Sequence, residues 1–432
     1  MAGPAILEMG LHMLVEVVDT AMVGRLGAQE LAAVALGSRV IFSTIFVFAA
    51  VGTGAAALVA RAVGARDQAA ADRAAGQALA LAFLLGLIMA LGGYTLAGPL
   101  FRLTKAEAVV QALAQQYLKI VILSTTLMLP LFVVNALLRG AGDTRTPLIL
   151  AALTNILNIV GDYVLIFGWG PFPALGVRGA ALATAGAQLI GAIVGLSLVF
   201  RGRAVIQVQP RLLLRWDSSL VRRILRLSAP VGLEELTYTV ASLMVFFSVS
   251  NLGTESLAAH QVALTTEGLS FMPGFGFSIA AATLTGQYLG AKDPEGAVQG
   301  GTLATRYCCL VMGSVGLIFL GLPHFLASAF TKDQAVASLA ATCIRIGAFE
   351  QIPIALEMGL AGSLRGAGDT RYPFLVALIG NWFFRLPLVY AATVLYQLPV
   401  WSVWVITVVD WFIRATLLLV RYRSRRWVSI RV

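Results

Sequence analysis

Glu8, His12, Glu16 and Asp19 are set in a stretch, 4–26, that is otherwise mostly apolar. At about 100° per residue, His12 lies about 40° round a helix from Glu8, Glu16 about 80° and Asp19 about 20°. The four groups therefore share one face, which must line a cavity or meet polar partners, because an ionisable group facing lipid costs about 2.5–3.5 kcal/mol. Carboxylates crowded in a low-dielectric cavity suit proton uptake, and the imidazole adds a group that titrates near neutrality. Asn158 and Asp162 stand at i and i+4 on a second apolar stretch and add oxygen ligands with a negative charge. Such a set can take a proton or Na⁺. Later in the chain come Glu234, Glu235, Tyr238, His260, Glu267, Glu350 and Glu357. His260 and Glu267 are seven apart, as are Glu350 and Glu357, so each pair is expected on one helical face. These later groups form either a second ion site or a lure for cationic substrates.

Hydrolytic and redox chemistry find no footing. The chain has no nucleophile elbow, no HExxH, no paired CxxC and no dinucleotide or phosphate-loop fingerprint. It is read as a non-enzyme without a cofactor. Cys308, Cys309 and Cys343 are read as small packing residues.

The elements that hold these groups follow from composition. Of the 432 residues, 59% are hydrophobic and only 12% charged, against about 25% charged in a soluble domain. A membrane span needs about 20 apolar residues. Polar and Gly/Pro breaks leave twelve such stretches, at 4–26, 31–62, 70–98, 107–138, 145–168, 176–200, 220–250, 257–289, 296–322, 335–364, 371–396 and 399–421. The net charge of +10 is a topology signal rather than a nucleic-acid signal. One set of alternate loops carries most of the arginines, whereas the other holds only Arg25, Arg102, Lys105, Arg178 and Lys332. The positive-inside rule then places both termini and the arginine-rich stretch Arg201–Arg226 in the cytoplasm of a multi-pass cell-membrane protein. Within that stretch, Leu212–Leu227 has helical apolar spacing and is expected to lie along the membrane surface. No cleavable leader is visible ahead of the first span, and because the sequence starts almost inside that span a few further initial residues are expected.

The chain is duplicated. Leu138–Arg145 reads LRGAGDTR and recurs at Leu364–Arg371 (364 − 138 = 226). The same offset relates Pro4 to Pro230, Glu8 to Glu234, Leu26-Gly27 to Leu252-Gly253, Asp67 to Asp293 and Asn155 to Asn381. In so apolar a chain this marks a transporter of two parallel bundles. The domains expected are a six-helix lobe at 1–200, a cytoplasmic linker at 201–219 and a second lobe with a basic tail at 220–432. In each LRGAGDTR copy the glycines permit a tight turn, Asp143 or Asp369 can cap the next helix, and Pro147 or Pro373 suits its first turn.

Val18–Gly27 (VDTAMVGRLG), Leu31–Ala35 (LAAVA), both LRGAGDTR copies, Asn155–Gly168 (NILNIVGDYVLIFG), Leu175–Thr184 (LGVRGAALAT) and Leu257–Leu264 (LAAHQVAL) together resemble the multidrug and toxic compound extrusion (MATE) family, prokaryotic type, over nearly the whole length. The resemblance implies an all-α membrane protein of twelve transmembrane helices in two pseudo-symmetric bundles. It further implies an antiporter that exports organic, often cationic compounds in exchange for H⁺ or Na⁺; the chain is expected to act as a monomer, with small molecules and membrane lipid as partners and no nucleic acid. Asp19, Asn158 and Asp162 match the family's N-lobe cation-binding positions, and Thr184 could lend a hydroxyl. Glu8, His12 and Glu16 are then candidates for a proton relay. The second lobe departs from this pattern, with Val245, Phe384 and Leu388 at the corresponding places. Some family branches use acidic residues of helices seven and ten, but the spacing here does not match them. Arg39, Arg345 and Arg385 are expected to pair with carboxylates, and Arg414 to reach Asp410 at i+4. An Arg39 that neutralised Asp19 or Asp162 would abolish cation affinity there. Two other readings stay open: a flippase of lipid-linked saccharides, for which Arg39 and Arg385 would hold phosphate, and a non-transporting membrane receptor or scaffold.

Overall fold

A computed structural model describes residues 2–102, 104, 106–202 and 204–430. Lys105, Arg203 and Arg431, which entered the charge count, lie outside them. Twelve long helices make up the described chain, as the apolar pattern requires where lipid cannot satisfy backbone groups. They are α1 (Ala2–Gly24), α2 (Ala28–Gly64), α3 (Gln68–Arg102), α4 (Ala108–Gly140), α5 (Arg145–Phe167), α6 (Val177–Phe200), α7 (Ser218–Ser250), α8 (Thr254–Gly290), α9 (Pro294–Gly321), α10 (Gln334–Gly366), α11 (Arg371–Leu395) and α12 (Trp401–Arg423). Eleven are long and apolar enough to span a membrane. The other, α1, is the helix that carries Glu8, Glu16 and Asp19. Short helices cover Pro210–Leu214 and Pro323–Ser328.

The chain divides into two compact units, Gly3–Gly232 and Leu233 onward. In the first, α4 packs against α2, α3 and α6; in the second, α10 packs against α8, α9 and α12. The duplication extends to backbone detail. Arg66 and Lys292 both adopt positive φ (58° and 60°) after α2 and α8. The next residue in each copy caps the following helix: Asp67 Oδ1 accepts from Ala70 N at 2.9 Å, and Asp293 Oδ1 from Gly296 N at 2.8 Å. In the LRGAGDTR turns, Gly142 and Gly368 take φ of 95° and 87°, which a side chain would strain.

Just before those turns, Gly140 faces the backbone of Ala56, and Gly366 that of Ala282. A Cβ at 366 would fall on the Ala282 carbonyl, which belongs to a helix and cannot swing aside. We predict that Gly366→Ala destabilises the protein by about 1–3 kcal/mol, the usual cost of overpacking. Gly186→Ala, with nothing within 4 Å of the added carbon, serves as control. Equal thermal unfolding of the two variants would refute this.

Three local expectations are revised. The contact boundary falls inside α7 rather than at 219/220, because the start of α7 packs on the first unit: Gly54 of α2 lets Ile224 and Ser228 approach closely. Leu212–Leu227 is two helices rather than one. Gln77 donates to Leu212 O and Arg215 O at 2.9 and 2.7 Å and accepts from Asp217 N, while Asp217 caps α7 through Ser219 and Leu220. The Ser219 hydroxyl and these backbone N–H groups hold the Asp217 carboxyl below the usual carboxylate range. Finally, the two LRGAGDTR aspartates differ. Asp143 caps α5 through Arg145 N, Thr146 N and the Thr146 hydroxyl, whereas Asp369 is held by Arg421 of α12 at 2.7–2.8 Å.

Candidate functional site

α1 and α5 bring three of the expected residues together in the first unit. The Asp19 and Asp162 carboxyls adjoin one another across the α1–α5 contact. Two carboxyl groups can bond one another only when one of them carries a proton. Asn158 lies one turn before Asp162. Its amide donates to Asp162 Oδ2 at 3.3 Å in one orientation; turned over, it donates to both Asp19 oxygens at 3.1 and 3.2 Å and satisfies both ends of the amide. Asp162 and Asn158 are buried and Asp19 partly so. The α5 helix is tied to α1 by Asn155, whose Nδ2 donates to Leu11 O at 2.7 Å.

Thr184 of α6 is beside this cluster, bonded to the Tyr117 hydroxyl. Tyr117, on α4, also accepts from Ser38 Oγ of α2 at 3.1 Å and lies within the electrostatic reach of Asp19 and Asp162. Sequence reasoning missed Tyr117 and Ser38. A hydroxyl in an apolar span was the available signal, but tyrosine is common enough in such spans to pass unnoticed.

The rest of the α1 face separates into different roles. Glu8 is fully buried and accepts from Arg139 Nη1 at 2.7 Å, so the first LRGAGDTR arginine clasps α1. His12 lies in the field of that pair. Glu16 is exposed and touches Asp19 only through its field.

In the second unit Glu234 repeats the clasp with Arg365 Nη2, also at 2.7 Å, and Glu235 sits in the field of both. His260 is buried edge-on to Trp404, with ring centroids 5.8 Å apart. The Glu267 and Glu350 carboxyls adjoin one another, and neither Glu350 oxygen has a hydrogen-bond partner among the described residues. Glu357 faces Arg365, Glu234, Arg414 and Asp410 instead, so Glu350 and Glu357 do not work as one pair. Tyr238 accepts from Arg414 Nη1 at 2.8 Å.

The Asp410–Arg414 pair expected from its i+4 spacing is the centre of a larger node, whose Asn381 and Trp411 contacts the sequence did not show. Arg414 grips Asp410 twice, Nε to Oδ1 at 3.0 Å and Nη2 to Oδ2 at 2.6 Å, and also donates to Asn381 Oδ1 at 2.8 Å. Arg385 Nε adds a contact to Asp410 Oδ2 at 2.9 Å. Both guanidinium groups lie over Trp411, at 4.9 and 5.3 Å. Arg385 and Arg414 thus find a carboxylate as expected. Arg39 and Arg345 do not: both are exposed, and neither has an ion-pair partner among the described residues. No neutralisation of Asp19 or Asp162 by Arg39 occurs here.

A duplicated twelve-helix bundle with ionisable groups buried in the lobes defines a polytopic membrane transporter. The family model MatE matches residues 4–164 and again 230–391, and the chain belongs to that family. It is 32% identical to a probable multidrug resistance protein NorM of Thermotoga maritima, over 99% of this chain and 92% of that one. It is 29% identical to the multidrug resistance protein PmpM of Pseudomonas aeruginosa, over 87% and 79%. In fold it is similar to the outward-facing conformation of a multidrug resistance MATE family transporter of the MOP superfamily, with a TM-score of 0.92 at 23% identity over 98% of this chain and 94% of that one.

Proposed function

We propose that the protein exports organic, amphipathic cations in exchange for protons by alternating access, both termini lying in the cytoplasm. One observation carries the reading: the contact between the Asp19 and Asp162 carboxyls, braced by Asn158. Such a pair binds one proton between two oxygens. Loading it neutralises a charge that would otherwise retain a cation, and unloading it restores that charge. Na⁺ at the same oxygens is the competing ion. The names of the NorM and PmpM relatives support drugs as the cargo. A flippase would use free cationic groups for phosphate; Arg385 is engaged by Asp410, which leaves Arg39 as the one of the two arginines without an ion-pair partner among the described residues, and the lipid arm of the assay below tests it.

Vesicles reconstituted with the purified protein and loaded with a fluorescent cationic drug test this when pH and Na⁺ gradients are imposed separately. Transport is expected under the pH gradient alone. Transport under the Na⁺ gradient alone would replace the proton with Na⁺, and movement of labelled lipid without drug would overturn the reading. Glu16→Gln is expected to keep transport close to the wild-type rate, since Glu16 is exposed and meets Asp19 only through its field. A complete loss in the same assay would make Glu16 a member of the site.

A further inference from the structure

The second unit buries a charge arrangement that the N-lobe reading does not use. Arg414 makes four bonds, to both Asp410 oxygens, Asn381 and Tyr238. Arg385 differs: its Nε lies 2.9 Å from Asp410 Oδ2 without completing a hydrogen bond, and its buried Nη2 has no acceptor among the described residues. Asp410 would therefore stay gripped if Arg385 left. Glu350 is fully buried, and neither of its oxygens receives a hydrogen bond from a donor group. Its contact is the Glu267 carboxyl, and Arg385 lies within the electrostatic reach of both.

These groups come from four helices: Glu267 from α8, Glu350 from α10, Arg385 from α11, and Asp410 with Arg414 from α12. Tyr238 of α7 also faces the arginines. With one proton shared by Glu267 and Glu350, that pair carries one negative charge. Asp410 with its two arginines carries one positive charge, which balances that pair; Glu357 also faces Asp410 and Arg414, from the side of the Glu234–Arg365 clasp. Loss of the proton leaves a dianion with no bonded cation, which a buried site does not tolerate. The group free to answer it is Arg385.

Its helix is suited to such a move. α11 is wound as a π-helix over Ile379–Arg385 and again over Ala391–Leu395. Pro387 has no N–H to donate to the preceding turn, and Leu386 N reaches back five residues to Asn381 O. Segments of this kind have a near alternative in ordinary α winding and recur at functional sites. The first one carries both Asn381 and Arg385. At Gly380 a Cβ would fall on Arg414 Nε and Asp410 Oδ1, so the α11 backbone rests directly on the Asp410 node.

We propose that Arg385 is a movable counter-ion shared between Asp410 and the Glu267–Glu350 pair, so that one proton gained or lost at that pair resets the winding of α11. With the proton on, Arg385 stays on Asp410 and the π-helical segment is held. With the proton off, Arg385 turns to the two glutamates and the segment loosens. The inference does not depend on Asp19 being the coupling site.

Hydrogen–deuterium exchange of the full-length protein in lipid nanodiscs, read on peptides spanning 379–398 from about pH 5 to about pH 9 and corrected for the intrinsic pH dependence of exchange, tests it. The wild type is expected to show a pH-dependent loss of protection in this segment. Glu267→Gln and Glu350→Gln should each abolish that step, because one remaining carboxylate cannot form the dianion. Asp19→Asn should keep it, even where it stops transport. A wild type with no pH-dependent step, or either glutamine variant retaining the wild-type step, overturns the proposal. Should one glutamine variant fail to fold, the other and the wild type still decide it.

Discussion

Asp19→Asn reduces drug export under a pH gradient by at least about tenfold, while the amount of folded protein stays at the wild-type level. Coupling between two ligands is typically worth about 1–3 kcal/mol, or about 5- to 150-fold. An amide at position 19 removes the charge that alternates while keeping the shape. The Asn158 amide still finds an oxygen at 19, and the Asp162 carboxyl still finds a partner, so the α1–α5 contact survives. The Asn155–Leu11 bond holds the same two helices independently. Asp162→Asn should behave alike. Normal export by Asp19→Asn would remove the pair from the mechanism. Loss of folded protein would instead make it a structural tie.

The largest effect on stability is expected in the other unit. Asp410 and Arg414 are both fully buried, and Asp410→Asn would leave Arg414 without the carboxylate it is bonded to. Removing one partner of a buried ion pair costs about 3–5 kcal/mol. The variant is expected to unfold well below the wild-type temperature in detergent. Adding Arg414→Gln should restore part of the loss, because the stranded charge is then gone. Unfolding of Asp410→Asn at the wild-type temperature would show that the node is hydrated and that its charges are worth little.

Much of the architecture was legible in the residues. The 226-residue offset anticipated the matching pairs Arg66/Lys292 and Gly140/Gly366, because duplication copies backbone geometry along with sequence. The helical angle between Glu8 and Asp19 was read correctly, yet it did not show that they have different neighbours. Glu8 belongs with Arg139 and Asp19 with Asp162, and which arginine reaches a buried carboxylate depends on packing between helices distant in sequence. Asp410 shows the same limit. Its pairing with Arg414 followed from i+4 spacing alone, whereas its contact with Arg385 crosses from α11. The π winding there left only a weak trace, in Gly380 and Pro387. Asp369 looked like the twin of Asp143 and became the partner of Arg421 instead. Identical octapeptides did not guarantee identical contacts.

Each clasp, Arg139 to Glu8 and Arg365 to Glu234, joins residues 131 positions apart within one copy of the repeat. Neither reaches across to the other copy. A chain emerging from the ribosome can therefore fasten α1 as soon as α4 has been made, long before α8 exists. Domains that close on themselves in this way tend to fold as units, amino-terminal first, and so keep fewer unsatisfied polar groups waiting in the bilayer during synthesis.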